Sequence, residues 1–551
     1  MNKTFPLLFL LSVVLGLSYQ PTLHSQPSTV WAKLYNGPAV QQDSSVGICV
    51  NSLGMVFVTG WSIGSGSAAD IVTIRYNPDT GDTLWVNRYN GVSSLEDKVS
   101  AITCDNNAVY VTGWSFVPSR DIVTIKYDAA TGNRLWVKTY NGTGNGGDYG
   151  FAIAVDPTGN VYTTGRSDVG SGQGQKFTTL KYDVSGNVVV GWPYIYTGPL
   201  SNTVDQAQAI KLDGSSNVYV TGKSGTGSFG SEDYLTIKIN TNATLGWAKK
   251  HNGTGNSEDN AVALVIDNTF TNVYVGGYSF RFGGVQDYMT IRYSCATGDS
   301  NAVASYNGPY GSTDQMTQMT IDNSNNVYVT GYSSGAGTSY DFATIKYNSA
   351  LAQQWVQRTT NSGTDIPFSI SVDNASGNVY VAGSSIGTGY DYLTISYRNN
   401  GTFNWEKRES GTANGNDYIS GVAVQDTDRI YVTGSANFSG TGIAFYTLRY
   451  SKISAINPVS GVIPSSFQLR QNYPNPFNPS TSIRFDVPNA SFVRVSVYDV
   501  MGRELENLVN EQLKAGEYMV KWDAARFASG IYFYSIAADG YQTTKKMMLI
   551  K

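Results

Sequence analysis

The hydrophobic pattern of this chain is written in short runs of alternating residues, each closed by glycine. Eight of them are near copies: MVFVTG (55–60), AVYVTG (108–113), NVYTTG (160–165), NVYVTG (217–222), NVYVGG (272–277), NVYVTG (326–331), NVYVAG (378–383) and RIYVTG (429–434). In each, the valines fall on one face and the aromatic–threonine pair on the other, the period-two signature of a strand rich in β-branched and aromatic residues. The closing glycine is read as the end of the strand and the start of a loop.

Around this run the pattern predicts three further strands per unit. An outer strand begins at Trp31, Trp85, Trp136, Trp192, Trp247, Ala302, Trp355 and Trp405, at spacings of 54, 51, 56, 55, 55, 53 and 50 residues. It leads into Tyr-Asn-Gly in the clean copies, then an apolar strand such as Ala152–Asp156, then the VYVTG run, and then a strand such as Asp341–Tyr347. Tight turns such as Asp156-Pro157-Thr158-Gly159-Asn160 pair neighbouring strands as hairpins. Four strands in about fifty residues, repeated eight times, predict an all-β fold: a β-propeller of eight four-stranded blades, with seven as the alternative. The last blade, ending at Tyr450, has no Trp strand of its own. The Trp31–Tyr35 segment is expected to complete it by pairing with 445–450, which removes two free sheet edges.

The pattern I-x-V-D-x-x-G-N-V-Y-V-T-G-x-S resembles the bacterial SBBP-type propeller repeat over roughly Trp31–Tyr450. Local departures are Ala302 for Trp, His251 for Tyr, Thr359 and Glu409 at the YNG position, and Lys176 and Ala444 for the Asp before the TIKY strand. The resemblance implies a fold and no single activity.

After Tyr450 the composition shifts. Residues 451–466, with Pro458, Gly461 and Pro464, read as a linker, and 467–551 as a small Ig-like β-sandwich with strands at Ser482–Val487, Phe492–Tyr498, Tyr518–Trp522 and Ile531–Ala537. Its motifs run from Asn472-Tyr473-Pro474-Asn475-Pro476 through Gly502 and Ser529-Gly530-Ile531-Tyr532 to Lys545-Lys546 near the end. They resemble the C-terminal sorting domain of type IX secretion cargo of Bacteroidetes-type bacteria. On that resemblance Asn472, Pro474, Asn475, Pro476, Gly502, Gly530, Lys545 and Lys546 belong to the sorting signal. It implies the type IX machinery as partner and a secreted or outer-membrane-surface location. Residues 1–25 fit a signal peptide, with Asn2-Lys3 before an apolar 5–17 run. No other segment approaches 18 apolar residues, so no transmembrane segment is expected in the mature chain, residues 26–450 of which form the propeller.

Composition narrows the chemistry. Charged residues are 14% and the net charge is −4, with no long basic run, which argues against nucleic acid as a partner. There are two histidines, His24 and His251, so a His triad or His-rich metal centre has almost no material. Of the three cysteines, Cys49 and Cys104 lie in equivalent strands at registers offset by one. They are expected to face opposite ways, and with Cys295 are read as unpaired.

Two sets of carboxylates recur. Asp43, Asp97, Asp148, Asp205, Asp259, Asp314, Asp365 and Asp417 precede each inner strand, and Asp70, Asp121, Asp233, Asp287, Asp341 and Asp391 open six TIKY strands. Strand alternation puts both on one face, together with loops opening on the aromatics Trp61, Trp114, Tyr278 and Tyr332. One reading is a binding face for a glycan or surface protein, with rings for contact and carboxylates for hydroxyls or cations. The other is that each Asp accepts loop amides and fixes the same turn in every blade, which exact repetition favours. No cofactor and no catalytic or metal-binding residue is assigned; Ca2+ is the cation such oxygen ligands would suit. The chain is therefore read as an exported, non-enzymatic binding or scaffold propeller. The alternative is a carboxylate-dependent carbohydrate-active enzyme on the same face, for which Glu96 and Glu258 are the scarce candidates.

Overall fold

The computed structural model describes residues 27–551 other than 171, 199, 201, 228–230, 256, 336–338, 360–362, 388, 414, 452–456, 461–462 and 525–526. The expected signal peptide, 1–25, lies outside the described residues. Every regular element among those described is a strand. Gln26–Ser454 form one compact unit, and Ala455–Lys551 fall in the other.

The first unit is a ring of eight four-stranded antiparallel blades. Blade 1 runs Asp43–Val50, Val56–Ile63, Ala69–Tyr76 and Thr83–Tyr89 from the axis outward, and blades 2 to 7 repeat that order. Blade 8 takes its inner three strands from Tyr418–Asp426, Arg429–Phe438 and Gly442–Ser451. Its outer strand is Ser28–Tyr35, paired Tyr35 to Phe445 and Ala32 to Leu448. The ring is closed by the chain's own first strand.

The repeat motif is explained residue by residue. Its valines and tyrosine are buried to 1% exposure or less in most copies. Its threonine meets a threonine of the third strand, Thr59 with Thr73 at 3.2 Å, Thr221 with Thr236 at 2.9 Å and Thr433 with Thr447 at 2.9 Å, so the buried hydroxyls are satisfied. The glycine does not end the strand, contrary to the sequence expectation: Val56–Ile63 and Ala108–Phe116 run past it. Each inner strand instead carries a β-bulge, as between Ser45 and Gly47 or Val99 and Ala101. This presses an inner-strand carbonyl toward the glycine. A Cβ at Gly113 would stand 1.9 Å from the Lys98 carbonyl oxygen, and one at Gly165 1.8 Å from that of Tyr149. No side chain fits there.

Blades are joined by an aromatic wedge. Trp31, Trp85, Trp247, Trp355 and Trp405 each pack between the aromatic of their own blade's VYVTG run and a tyrosine of the next blade's third strand, as in Tyr328–Trp355–Tyr397 and Phe57–Trp85–Tyr127, with ring centroids 5.9–6.3 Å apart in these two. The indole N–H of Trp31, Trp85, Trp136, Trp247 and Trp355 donates to a turn carbonyl of the next blade, Trp31 to Pro78 at 3.0 Å and Trp355 to Asn399 at 3.0 Å. The ring lies against the glycine of the same turn: a Cβ on Gly81 would come within 2.5 Å of Trp31. Where the Trp is missing, at Ala302, the turn residue of the following blade is Leu351, which fills the space with a buried side chain at φ +62°. The departure at Ala302 is thus matched 49 residues later.

Cys49 and Cys104 form a disulfide, with Cα atoms 6.2 Å apart, correcting the expectation that they stay unpaired. Cys49 pairs across its sheet with Phe57 and Cys104 with Val109, so they do occupy opposite faces of their own blades. Opposite faces of consecutive blades are the faces that meet. The one-residue offset is what brings the sulfurs together. A crosslink closing 55 residues contributes about 4 kcal/mol in the chain-entropy model and belongs to an oxidising compartment. Cys295 is unpaired and buried, as expected.

The second unit is a sandwich of two four-stranded sheets around a core including Phe485, Val495, Val520, Trp522 and Tyr534. The expected strands are present as Ser480–Val487, Ser491–Tyr498, Gly516–Asp523 and Gly530–Ala538. The stretch expected as a linker is narrower than 451–466, because Asn457–Ser460 pairs with Gly516–Asp523 as an edge strand, the one sheet position that tolerates Pro458.

Two expectations follow. Deleting 26–40 leaves blade 8 with an open edge and should lower the thermal midpoint of the propeller markedly, whereas a ring that closes without this strand would lose little. Ala302→Trp alone should cost about 1–3 kcal/mol by overpacking against Leu351. Ala302→Trp with Leu351→Gly should recover most of that in denaturant melts, and no recovery would refute the pairing.

Candidate functional site

The carboxylates that precede the inner strands lie at the seams between blades. All eight, Asp43, Asp97, Asp148, Asp205, Asp259, Asp314, Asp365 and Asp417, are buried to 1% exposure or less. One oxygen accepts the amide of the glycine six residues earlier in the crossing loop: Gly37 to Asp43 at 2.6 Å, Gly142 to Asp148 at 2.6 Å, Gly308 to Asp314 at 2.6 Å and Gly411 to Asp417 at 2.6 Å. In Asp97, Asp148, Asp205, Asp259 and Asp417 the other oxygen accepts from the serine of VTG-x-S or the amide after it, as Ser167 Oγ and the Asp168 amide do for Asp148 at 2.6 and 2.8 Å. The aspartate's own amide reaches the preceding blade: Asp365 donates to the Tyr340 carbonyl at 2.7 Å and Asp417 to that of Tyr390 at 2.6 Å. This geometry is that of a turn-fixing group that also ties one blade to the last.

Where the repeat departs, a substitute donor is supplied. Blade 4 lacks the Gly amide, and Lys176 donates to Asp205 at 3.1 Å, with both side chains 1% exposed. Thr359 stands at the glycine position before Asp365 and donates its hydroxyl at 3.2 Å. A carboxylate of the second set sits beside the first at five seams, Asp70 with Asp97, Asp121 with Asp148, Asp233 with Asp259, Asp287 with Asp314 and Asp391 with Asp417. Asp287 lies close enough to Asp314, and Asp391 to Asp417, to oppose ionisation. Burial raises the pKa of Asp43, Asp97, Asp148, Asp314 and Asp417, and pushes Asp287 to about 6 despite Arg281 3.3 Å away. Among the described residues no group of three or more His, Cys, Asp or Glu could hold a metal ion.

Exposed variety lies elsewhere on this face. Trp61, Trp114, Tyr278 and Tyr332 are half-buried and sit within the second strands, opposite Ser44, Lys98, Asn260 and Gln315. The structure does not bring all four together; each serves its own blade. Around Trp61 and Trp114, however, a continuous set of contacts spans blades 1 to 3. Lys98 Nζ is 4.8 Å from the Trp61 ring and 6.0 Å from Trp114, and the Arg120 guanidinium is 4.8 Å from Trp114. Trp114 meets Tyr149 edge-on at 6.0 Å, and Arg166 lies 4.7 Å over Tyr149. Glu96 pairs with Lys98 and reaches Arg120 at 3.7 Å. Trp61, Glu96, Lys98 and Arg120, with Leu95 and Phe116, line an open cleft of ≈ 550 Å³ between blades 1 and 2. On blades 4 and 5 the equivalent contact is Lys223 to Glu258 at 2.9 Å, with the Tyr278 hydroxyl 3.4 Å from Glu258. Tyr332 packs on Tyr340 and hydrogen bonds Gln315.

Lys98, Arg120 and Arg166 were not singled out from the sequence. Two of them stand at cross-strand positions, after the Asp and at x of VTG-x-S, where the eight copies disagree, and that disagreement is the signal that could have found them.

In the second unit, Asn472 is buried and its amide nitrogen donates to the Pro474 carbonyl at 3.1 Å and to Thr481 at 3.0 Å, while its backbone N–H reaches the Tyr534 hydroxyl at 2.8 Å. Asn475 accepts the Met548 amide at 2.9 Å. The NYPNP segment is thereby fastened to both sheets. Pro476 follows in that segment. Gly502 takes φ +76° in the turn closed by Asp499, and Gly530 opens the strand paired with the last one. Lys545 and Lys546 lie on that last strand, a sheet edge.

Residues 471–551 match the secretion system C-terminal sorting domain family. That assigns the second unit as a sorting domain. No curated protein matches the chain. Among solved structures, quinohemoprotein alcohol dehydrogenase from Comamonas testosteroni is 11% identical, with 81% of this chain and 79% of that chain covered at a TM-score of 0.47. PorZ, a surface component of the type IX secretion system of Porphyromonas gingivalis, is 10% identical, covering 92% and 81% at 0.24. The β-propeller domain of the Trilobed protease from Pyrococcus furiosus is 8% identical, covering 64% and 94% at 0.38. At these values the likenesses carry no argument about activity. The sorting domain implies export to the cell surface or beyond.

The seam carboxylates make a pH prediction. The folded-state pKa values of Asp43, Asp97, Asp148, Asp287, Asp314 and Asp417 lie above the unfolded ones, so the folded chain binds more protons between about pH 4 and 6, and these groups make stability rise as pH falls through that window. The thermal midpoint should be higher at pH 5 than at pH 7.5 at fixed ionic strength, and Asp287→Asn should flatten part of that slope.

Proposed function

We propose that this protein is an exported, non-enzymatic binding module whose partner, a glycan or a surface protein, docks on the loop face over blades 1 to 3. The observation that carries this reading is the cleft lined by Trp61, Glu96, Lys98, Phe116 and Arg120, built from positions where the repeats diverge. Flat rings beside fixed charges suit contact with sugar faces and hydroxyls, or with a polar protein rim. Export uses the type IX machinery through the sorting domain, whose family supports it.

The carbohydrate-active enzyme is the weaker reading. It needs two carboxylates within roughly 5–10 Å of each other across one bond. Glu96 is held by Lys98 and Arg120 at the seam of blades 1 and 2, and Glu258 by Lys223 at the seam of blades 4 and 5. Each is neutralised by cations, and they are separated by three blades.

Trp61→Ala with Trp114→Ala should abolish binding in a glycan-array or surface-protein pull-down assay while shifting the thermal midpoint little, since both side chains are half-exposed. Retained binding by the double variant would place the partner elsewhere. Removing 467–551 should leave the propeller folded and trapped inside the cell; its appearance in the medium would contradict the export assignment.

A further inference from the structure

The inner strands surround a channel on the ring axis, a space of ≈ 450 Å³ lined by blades 2 to 7. Its lining contains no Asp or Glu and one cation, Lys211. The register makes that residue exceptional. Lys211 pairs with Tyr219, the tyrosine of its VYVTG run. The residues opposite the corresponding aromatic in the other blades are Cys49, Thr103, Ala154, Val265, Thr320, Ser371 and Ala423. Seven are uncharged; one is a lysine.

The Lys211 side chain is exposed to channel solvent, the surrounding ring of blades lowers its pKa by desolvation, and no carboxylate lies near enough to counter the effect. No ion pair or hydrogen bond engages it among the described residues. The polar groups sharing the space offer protons. Gln318 accepts the Met319 amide at 2.9 Å through its side-chain oxygen, which leaves the NH2 free to donate. Ser369 accepts the Val422 amide at 3.1 Å and keeps its hydroxyl proton. Gln208 and Thr320 add an amide and a hydroxyl to the lining. A channel whose lining carries one ammonium, no carboxylate and several neutral donors has a positive potential that favours entry of an anion.

We propose that the central channel is an oxyanion site, in which Lys211 supplies the charge and Gln318, Ser369, Gln208 and Thr320 the neutral donors, for phosphate, sulfate or a carboxylate of similar size. The site is separate from the loop-face cleft, and neither reading depends on the other.

The test is calorimetric titration of the full chain with inorganic phosphate, sulfate and acetate, against chloride at matched ionic strength. At least one oxyanion should bind with one-to-one stoichiometry and raise the thermal midpoint. Tighter phosphate and sulfate would identify a tetrahedral ligand, and tighter acetate a carboxylate. Lys211→Met should weaken binding at least tenfold, Lys211→Arg should keep it within about threefold, and Lys138→Gln on an outer strand should leave it unchanged. A measurement on the unaltered chain guards against a variant that fails to fold: affinity for the oxyanion should fall as pH is raised from about 7 to about 11 and the ammonium is lost. Absence of binding by all three anions, or equal binding by folded Lys211→Met, would overturn the proposal.

Discussion

The contact between one blade and the next is the constraint on which the propeller depends. A four-stranded blade has two apolar faces, and neither can be left to water. The wedge of Trp between tyrosines of successive blades, its indole N–H on the next turn's carbonyl, and the seam aspartate bonded to both blades meet this need at different radii. Because each seam is geometrically the same, each repeat must offer the same residues, and the uniformity of VYVTG follows. The exceptions behave as paired adjustments. Ala302 meets Leu351, and Asp205, without its glycine amide, meets Lys176.

This accounting separates stability from specificity on the loop face. The carboxylates repeat because they hold seams; burial and internal donors leave them little to offer a partner. Binding capacity then falls to positions free of that duty, the residue after each seam Asp and the residue between the VYVTG glycine and its serine. There the chain places Trp61, Lys98, Trp114 and Arg166 in its early blades, and Ser384 and Ser435 in the last two. The ring is symmetric in its interior and asymmetric on its surface.

The disulfide illustrates why local periodicity can mislead about neighbours. The offset of Cys49 and Cys104 is correctly read as opposite faces, and within one sheet that separates two side chains. In a stack of sheets the same offset joins them. The glycine of VYVTG is a similar case. A glycine after a strand run suggests a turn, yet here it makes room for a bulged carbonyl from the adjacent strand, a demand visible only once the two strands are paired.

The sequence alone determined the strand repeat and the sorting motif at the C-terminal end, and it pointed to eight blades over seven with Trp31–Tyr35 closing the ring. All of these are carried by periodicity, spacing and short-range order, which a linear string preserves. What only the tertiary structure decided is which residues meet across seams: the Trp wedge and its Leu351 counterpart, the disulfide, the burial of the aspartate ring, the cation–aromatic cluster at Trp61 and Trp114, and the solitary Lys211 in the channel. Residues some fifty positions apart become contacts because the chain returns to the axis once per blade. Their chemistry depends on that return, and no window of sequence contains it.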